Sequence, residues 1–408
     1  MILLYIDPGT GSMLFSVFIG LAAATYFVFR TLIIKLKSFF SGKRKLSYKH
    51  SNFVIYNEAN HYWPVFCDIL NEFENRKIEL LYLTSSEDDP VFKNNYIYIK
   101  ASFIGSGNNA FMTLNFLDAD ICLMTTPGLD VYQLKRSKLC KHYSHILHDT
   151  GDATCYKLFG LDWFDSVLLS GEYQKKDIRL LEELRSLPEK ELIVVGSTYL
   201  DYYSNKLNDI TTEEDHIFTV LVSPSWGPGS ILNEYGDTLL QNLSCSEWRI
   251  IVRPHPQSRI SETEMLDKLE KKYNSFIWDY KSENLDSLSK ADIMISDFSG
   301  ILFDFAFLFK RPLIYHNSRF NKEMYDASDL DHEPWKFNAI RQFGTELVEN
   351  DLSNITDIIN KIIYDTKLIE NLYQVKKIAW QNIGQSEKKV VDYLINTHKE
   401  ICQNSILI

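Results

Sequence analysis

Short apolar runs alternate with longer amphipathic stretches along most of the chain, and this alternation predicts a parallel α/β fold. Buried parallel strands are continuously apolar, whereas the intervening helices have one apolar face. The pattern predicts strands at 53–56, 80–83, 97–99, 119–124, 143–147, 167–169 and 192–195, and again at 218–222, 249–252, 276–278, 292–296 and 312–315. It predicts helices near 61–73, 173–187, 231–243, 265–273 and 300–309, and a helical tail over 353–401. Two doubly wound sheets in succession predict two Rossmann-like domains facing a cleft, which is a GT-B-like arrangement.

The length and the changes in pattern divide the chain into five segments. A chain of 408 residues is too long for one ordinary core. We expect an N-terminal membrane anchor (1–40), a basic linker (41–52), an N-terminal Rossmann-like acceptor domain (53–196), a C-terminal Rossmann-like nucleotide-binding domain (197–384) and a C-terminal helix (385–408).

An apolar segment precedes the α/β pattern. Residues 13–29 carry no charge, and the apolar run continues to Ile34 after Arg30. A helix of this length approaches the ~30 Å thickness of the hydrocarbon core of a bilayer. Because the basic residues follow the segment, the positive-inside rule predicts a single-pass anchor in the cell membrane with both domains on the cytoplasmic side. A helix lying in the membrane interface, or a buried core helix, is the alternative.

Charge is distributed unevenly along the chain. The formal net charge is -11, yet residues 1–50 contain seven lysines or arginines and only one acidic residue, Asp7. A basic segment on an acidic body favours an anionic membrane surface as partner and argues against nucleic acid. The six cysteines form no Cys-x-x-Cys pair, so neither a zinc site nor a disulfide framework is expected. No metal and no cofactor are predicted.

Three polar turns follow strands of the second domain and form the candidate site. They are Ser-Pro-Ser-Trp-Gly at 223–227, Arg-Pro-His-Pro at 253–256 and Asp-Phe-Ser-Gly at 297–300. A parallel sheet brings the carboxyl ends of its strands to one edge, where ligands bind. The start of the 300–309 helix is suited to a phosphate. Since Asp297 and Ser299 are typical helix caps, an ordinary capped helix without a ligand is the alternative.

Single side chains in these turns suit phosphate and base recognition. Two prolines hold His255 at a fixed angle, which suits proton transfer or a hydrogen bond to phosphate. Arg253 offers a fork of donors for phosphate oxygens. Trp226 offers a stacking face for a base, although the core is the favoured location for this residue.

Histidines also cluster near a strand end of the first domain. His148 follows the predicted strand at 143–147 and is expected in the loop at the cleft. His142 and His145 are expected at the surface or in the core.

The motifs resemble those of the CDP-glycerol glycerophosphotransferases, the family of teichoic acid primases and polymerases. The resemblance covers most of residues 140–320 and depends on the three turns in this order, with Phe-Asp-Phe-Ala at 303–306 after the third turn. It implies a membrane-associated enzyme that moves glycerol phosphate, or a related alditol phosphate, from a CDP-linked donor to a hydroxyl of an envelope polymer or lipid-linked acceptor. CMP would be released. It also implies that His148 is the general base and that His255 assists at the diphosphate.

The resemblance further implies which residues bind the nucleotide and its phosphates. The predicted set comprises Ser225, Trp226, Arg253, Ser299, Gly300 and Asp304. Ser223 and Asp297, which lie in the same turns, complete it. The chain departs from the family pattern at three positions: Asp149 follows the histidine where glycine is frequent, Tyr199 replaces an arginine, and Gly300 replaces a serine.

Two other functions are consistent with the same motifs. One is a sugar-nucleotide-dependent GT-B glycosyltransferase, which would release UDP or GDP. The other is a catalytically degenerate membrane scaffold of the same fold. The departures from the family pattern at Tyr199 and Asp149 are the reason to consider it.

Overall fold

The computed structural model describes Thr25 and residues 50–207, 216–281, 283–317 and 321–406. Apart from Thr25, the predicted membrane anchor lies outside these residues, as does most of the predicted linker. Within the described ranges, no helix combines the length and the apolar character that crossing a bilayer requires.

The first half of the described chain forms a seven-stranded parallel sheet. Its strands are β1 (Ser51–Asn57), β2 (Leu80–Thr84), β3 (Ile99–Phe103), β4 (Ala119–Met124), β5 (Cys140–Ile146), β6 (Ser166–Leu169) and β7 (Glu191–Val194). Its helices are α1 (Trp63–Asn75), α2 (Asn108–Leu114), α3 (Tyr173–Leu184) and α4 (Thr198–Leu207). The strand order is β3-β2-β1-β4-β5-β6-β7.

The second half forms a six-stranded parallel sheet in which strands again alternate with helices along the chain. Its strands are β8 (Thr219–Val222), β9 (Arg249–Val252), β10 (Ile277–Trp278), β11 (Ile293–Ser296), β12 (Leu313–His316) and β13 (Gly344–Leu347). Its helices are α5 (Ile231–Leu243), α6 (Ser258–Ser261), α7 (Thr263–Lys272), α8 (Leu285–Lys290), α9 (Ile301–Phe309), α10 (Trp335–Phe343), α11 (Ile355–Ile362), α12 (Thr366–Ala379) and α13 (Ser386–Ile406). The strand order is β10-β9-β8-β11-β12-β13, so the predicted pair of doubly wound parallel sheets is confirmed.

Each sheet reverses its strand order at one point, and this point fixes where a ligand can bind. The reversal lies between β1 and β4 in the first sheet and between β8 and β11 in the second. In open α/β sheets the loops at this switch point leave a crevice beyond the carboxyl ends of the strands. Two crevices are therefore expected, one in each half.

Helix α9 is apolar on nearly every face because it is buried on nearly every face. Phe303, Phe305 and Phe307 are at most 1% exposed and pack with Phe343 and Trp380. Such a helix lies between the sheet and a further helical layer, as its sequence predicts. Its position is thereby fixed, which matters because its first turn borders the second crevice.

The C-terminal helix α13 returns from the second half to the first. Val390, Val391 and Leu394 pack into the core of the first sheet. The bend between α12 and α13 is held by Asp201 of α4, whose carboxylate accepts hydrogen bonds from Trp380 Nε1 and the Gly384 N–H, both at 2.9 Å. This buried carboxylate joins the two halves.

Candidate functional site

The three predicted turns lie together at the switch point of the second sheet. Turn 223–227 follows β8, and turn 297–300 follows its direct neighbour β11. Ser223 donates its N–H to the Ile295 carbonyl at 2.9 Å, and Arg253 donates its N–H to the Val222 carbonyl at 2.8 Å. The convergence expected from the parallel sheet is therefore present.

Asp297 joins two of these turns and does not cap the helix that follows it. Its carboxylate accepts hydrogen bonds from the N–H groups of Ser225 (2.9 Å) and Ile231 (3.0 Å), the first residue of α5. Helix α9 begins after Gly300, and no side chain caps it. The alternative in which Asp297 or Ser299 caps α9 is wrong, because Asp297 finds two amide donors in the neighbouring turn. In its first turn, the N–H groups of Leu302 and Phe303 donate to the carbonyls of Ser299 (3.3 Å) and Gly300 (3.0 Å), so it is the positive end of the uncapped helix dipole that suits an anion.

His255 offers a proton donor at this edge. Its Nδ1 accepts a hydrogen bond from the Gln257 N–H at 3.1 Å, so the neutral ring carries its proton on Nε2. Burial lowers the pKa of His255, and the charge of Glu262 offsets this lowering only partly. The ring is therefore neutral at pH 7. The Trp226 ring lies 6.4 Å from that of His255, measured between centroids, and is 47% exposed. The prediction of a core position for Trp226 is therefore wrong, and one face of the ring is accessible.

Arg253 is engaged within the protein. Its side chain is buried, with Nη1 2.5 Å from the Asp279 carboxylate and Nη2 2.7 Å from the Lys281 carbonyl. These contacts fix the turn after β9. The predicted contact between Arg253 and phosphate stays a prediction. It requires the guanidinium to bind a phosphate in addition to Asp279 and the Lys281 carbonyl.

His148 lies in the loop after β5, as predicted, and two hydroxyls hold its Nδ1. Thr125 Oγ1 is 3.1 Å from Nδ1, and Tyr156 Oη is 3.0 Å from it. Both contacts use Nδ1, and no described residue hydrogen-bonds to Nε2, which is therefore available to a ligand. Burial lowers the pKa of His148, although Asp149 raises it, and a neutral ring at pH 7 can accept a proton.

Tyr156 couples His148 to a second, fully buried histidine. Its hydroxyl also lies 3.2 Å from His145 Nε2. One hydroxyl has one proton, so when Tyr156 donates to His145 it accepts from Nδ1–H of His148, and His148 Nε2 is then basic. Sequence reasoning missed Tyr156, because no periodicity links a residue in the following loop to the ring of His148.

The His148 loop reaches the beginning of α9 across the cleft. A Cβ atom at Gly300 would lie 3.8 Å from Oδ2 of Asp149. In the first turn of α9, the buried carboxyl of Asp304 accepts a hydrogen bond from the Tyr199 hydroxyl at 3.2 Å. Burial, and then the charge of Asp149, raises the pKa of Asp304 to about 7. A histidine from one half and a helix N-terminus from the other therefore border the same cleft.

Asp304 should make the stability of the fold depend on pH. Because its folded pKa is about 7, above the ordinary ~3.9, its contribution is full below pH 4 and is lost as the pH rises through 7. We expect wild type to lose roughly 4 kcal/mol over this range and Asp304→Asn to lose much less. Thermal unfolding between pH 4 and 8 measures the difference. Asp267→Asn, at an exposed ion pair, is the control. A pH slope in Asp304→Asn equal to that of wild type would contradict the assignment.

The predicted absence of a metal site stays a prediction. Potential ligand atoms of Asp120, His398 and Cys402 lie within 4.8 Å of one another. This group is at the amino end of β4, whereas His148 lies at the carboxyl edge of the same sheet.

Comparison with protein families extends the motif analysis. Residues 231–396 match the family model described as CDP-Glycerol:Poly(glycerophosphate) glycerophosphotransferase. The predicted family resemblance is confirmed. The matched residues include the turns at 253–256 and 297–300, and the match supports an enzyme of the CDP-glycerol glycerophosphotransferase type. His148 and the turn at 223–227 lie outside it. A comparison with curated proteins gave no match.

Solved structures share the fold at low sequence identity. The wall teichoic acid polymerase TagF is 14% identical over 86% of this chain and 90% of its own, with a TM-score of 0.56. A TagF variant soaked with CDPG gives 14% identity over 86% and 89% of the chains and a TM-score of 0.57. The UDP-GlcNAc 2-epimerase from Neisseria meningitidis, bound to UDP-GlcNAc, is 16% identical over 85% and 100% of the chains, with a TM-score of 0.54. The predicted GT-B-like fold is confirmed, whereas the membrane helix before it stays a prediction.

Proposed function

We propose that this chain transfers glycerol phosphate, or a related alditol phosphate, from a CDP-linked donor to a hydroxyl of an envelope polymer or lipid-linked acceptor. The observation that carries the proposal is the approach of the His148 loop to the beginning of α9 at one cleft. The family match over residues 231–396 supports the donor class, as does the CDPG used with the TagF variant.

The second half would hold the donor. The uncapped N-terminus of α9 carries partial positive charge, and His255 offers Nε2–H, so both suit the diphosphate. The exposed face of Trp226 suits stacking against the base. Asp297 holds the turn of Trp226 to the turn before α9, and the Arg253 N–H ties the turn of His255 to the end of β8, so little reorganisation is needed when negative charge grows on the leaving group.

The first half would supply the base. His148 Nε2 takes the proton of the acceptor hydroxyl while that oxygen attacks the phosphorus bearing the alditol. The bond from this phosphorus to the bridging oxygen breaks, and CMP leaves with the negative charge. Positioning and charge neutralisation supply most of the acceleration in such a transfer.

A donor panel tests the proposal. Thermal shifts are measured with CDP-glycerol, a second CDP-alditol, UDP-glucose and GDP-mannose, and nucleotide release is then followed with membranes from the host as a source of acceptor. We expect a CDP-alditol to stabilise the protein and to yield CMP. Release of UDP or GDP would indicate a glycosyltransferase. Tight binding of CDP-glycerol without turnover would indicate a scaffold.

Tyr156→Phe should lower kcat for CMP release about tenfold and leave the KM for CDP-glycerol unchanged. The variant loses a hydrogen bond worth about 0.5–1.5 kcal/mol, and 1.4 kcal/mol corresponds to a factor of ten. It also uncouples His145 from His148, so the acid limb of the pH–rate profile should shift. Tyr393→Phe is the matched control, because it removes a hydroxyl of α13 that donates to the Glu191 carboxylate of β7. An unchanged kcat and pH profile in Tyr156→Phe would contradict the coupling.

The proposed enzyme acts on the cytoplasmic side of the cell membrane, held by residues 13–34. The support is the uncharged segment and the basic residues that follow it. Cells expressing the full chain, or the chain without residues 1–40, are fractionated and washed with salt. We expect only the full chain to stay in the membrane fraction, and release of both proteins would contradict the anchor.

A further inference from the structure

The crevice at the switch point of the first sheet forms a pocket, which we call the acceptor pocket. Glu58 and Tyr62 line it after β1, Thr126 after β4, and His148 and Asp149 after β5. Its volume is about 480 Å³, within the range of small-molecule sites. Because His148 is part of its wall, a molecule bound here would present a group to the proposed base.

The acceptor pocket contains a buried hydroxyl without a partner. Thr126 is 6% exposed, it lines the pocket, and its Oγ1 makes no hydrogen bond with any described residue. An unpaired polar atom at a buried position is costly to the folded state. A ligand that hydrogen-bonds to Thr126 would remove this cost, so the pocket is suited to a polar ligand.

The charges of the acceptor pocket are unsuited to an anion. Three carboxylates line it, those of Glu58, Asp149 and Asp152, whereas Lys157 is the one lysine or arginine among the described lining residues. Carboxylates accept hydrogen bonds and cannot donate them, so they match hydroxyl groups and repel phosphates. The cleft side of the second half has the opposite character, with the uncapped N-terminus of α9 and the Nε2–H of His255.

Aromatic rings complete the wall. Phe111, Tyr62, Tyr132 and Tyr156 line the pocket from the first half, and Tyr325 lines it from the second. Tyr132 is 59% exposed, so it lies at the rim. Tyrosine combines a flat apolar face with a polar edge, a combination that suits the C–H faces and the hydroxyls of a sugar ring.

We propose that the acceptor is an uncharged, hydroxyl-rich sugar ring, and that a glycosyl hydroxyl receives the alditol phosphate in place of a glycerophosphate chain end. This inference rests on the proposed function. A sugar hydroxyl loses its proton to His148 Nε2, its oxygen bonds to the phosphorus bearing the alditol, and CMP departs. The products are an alditol-phosphoryl glycoside and CMP. A chain of glycerophosphate units would instead place its own negatively charged phosphate near the carboxylates of Glu58 and Asp149.

The first experiment measures acceptor binding without the donor. Ligand-observed NMR follows the full chain with methyl glucoside, methyl galactoside and methyl N-acetylglucosaminide, and separately with glycerol 3-phosphate and a short glycerophosphate oligomer. We expect at least one glycoside to bind about tenfold more tightly than either phosphate compound. Tighter binding of the oligomer than of any glycoside would overturn the proposal.

Two variants connect that binding to the pocket. Thr126→Val keeps the shape and removes a hydroxyl that has no partner, so it should weaken the glycoside several-fold without lowering the unfolding midpoint. The ratio of glycoside affinity to phosphate-compound affinity should fall at least tenfold in Glu58→Lys. Glu79→Gln, at an exposed position before β2, is the control. Glycoside affinity unchanged in both pocket variants would overturn the assignment of the site.

The second experiment separates this inference from the proposed function. CMP release from CDP-glycerol is followed with each acceptor compound, and the product is identified by mass spectrometry. Transfer to the glycoside supports both proposals, and transfer to the oligomer alone overturns only the inference. If CDP-glycerol neither binds nor reacts, the proposed function fails, while glycoside binding that depends on Thr126 still supports a sugar site.

Discussion

We expect His148→Ala to lower the rate of CMP release from CDP-glycerol by about 10²–10⁴-fold, the usual contribution of one general base. Thr125 and Tyr156 hold Nδ1, so the ring is fixed with Nε2 available to the acceptor. Alanine removes this proton acceptor and leaves the second half untouched. The thermal shift caused by CDP-glycerol should therefore persist. Single-turnover CMP release at saturating acceptor measures the effect.

Two further histidine variants define the specificity of that result. His216 is exposed at the amino end of β8 and pairs with Asp292 at 2.8 Å, so His216→Ala should behave as wild type. His255→Ala should instead raise the KM for the donor and reduce its thermal shift, because His255 is placed at the diphosphate. Wild-type CMP release by His148→Ala would refute the assignment of the base.

The pH dependence of the rate provides an independent check. Burial lowers the pKa of His148, so the neutral, active form persists to a pH below the ordinary value of ~6.5. The wild-type rate should fall only at more acidic pH. The residual rate of His148→Ala should lack this limb.

Strands inside the sheets could be predicted from the sequence, as could the edge strands β7 and β10, whereas the edge strands β3 and β13 could not. The predicted ranges 119–124 and 249–252 coincide with β4 and β9, because these strands lie inside their sheets and their sequences are apolar runs. Strand β13 was missed, and β3 was predicted two residues early with its end misplaced. Both are edge strands with mostly exposed or half-buried residues, so they have no continuous apolar run.

The location of the site was predictable, but the contacts of single residues were not. Convergence of the three turns depends only on parallel strands with apolar sequences, which the pattern specifies. The role of Asp297 depends on which amide groups lie nearest after folding, and local capping preference pointed to the wrong ones. The contacts of Tyr156 with two histidines likewise arise from a loop that returns to the strand end.

Contacts between the two halves were the least accessible to sequence reasoning, and Arg185 is the clearest case. Arg185 follows α3 in the first half, and its side chain is only 9% exposed. Its guanidinium lies 2.7 Å from Asp162, 2.8 Å from Asp326 and 2.7 Å from Asp329. Burial alone would lower the pKa of Arg185, but the three carboxylates raise it above its ordinary value. Two of these carboxylates belong to the second half.

Arg185→Ala should lower the free energy of unfolding by about 3–5 kcal/mol, because it leaves buried carboxylates without their cation. Urea unfolding of the full chain measures this loss. Hydrogen exchange should locate it in the segment around Asp326, which also accepts the Phe159 N–H at 2.7 Å, and in the loop that contains Phe159. Faster exchange confined to these contacts would identify the ion cluster as the connection between the halves.

Arg341→Ala is the matched control for this prediction. Arg341 pairs with Glu333 at a site where both side chains are more than a third exposed, and such pairs contribute about 0–1 kcal/mol. The two variants remove the same charge and a side chain of the same size, so the difference between them isolates the effect of burial. If both variants unfolded at the urea concentration of wild type, the buried cluster would contribute no net stability, and the halves would be held together chiefly by α13 and the bend at Asp201.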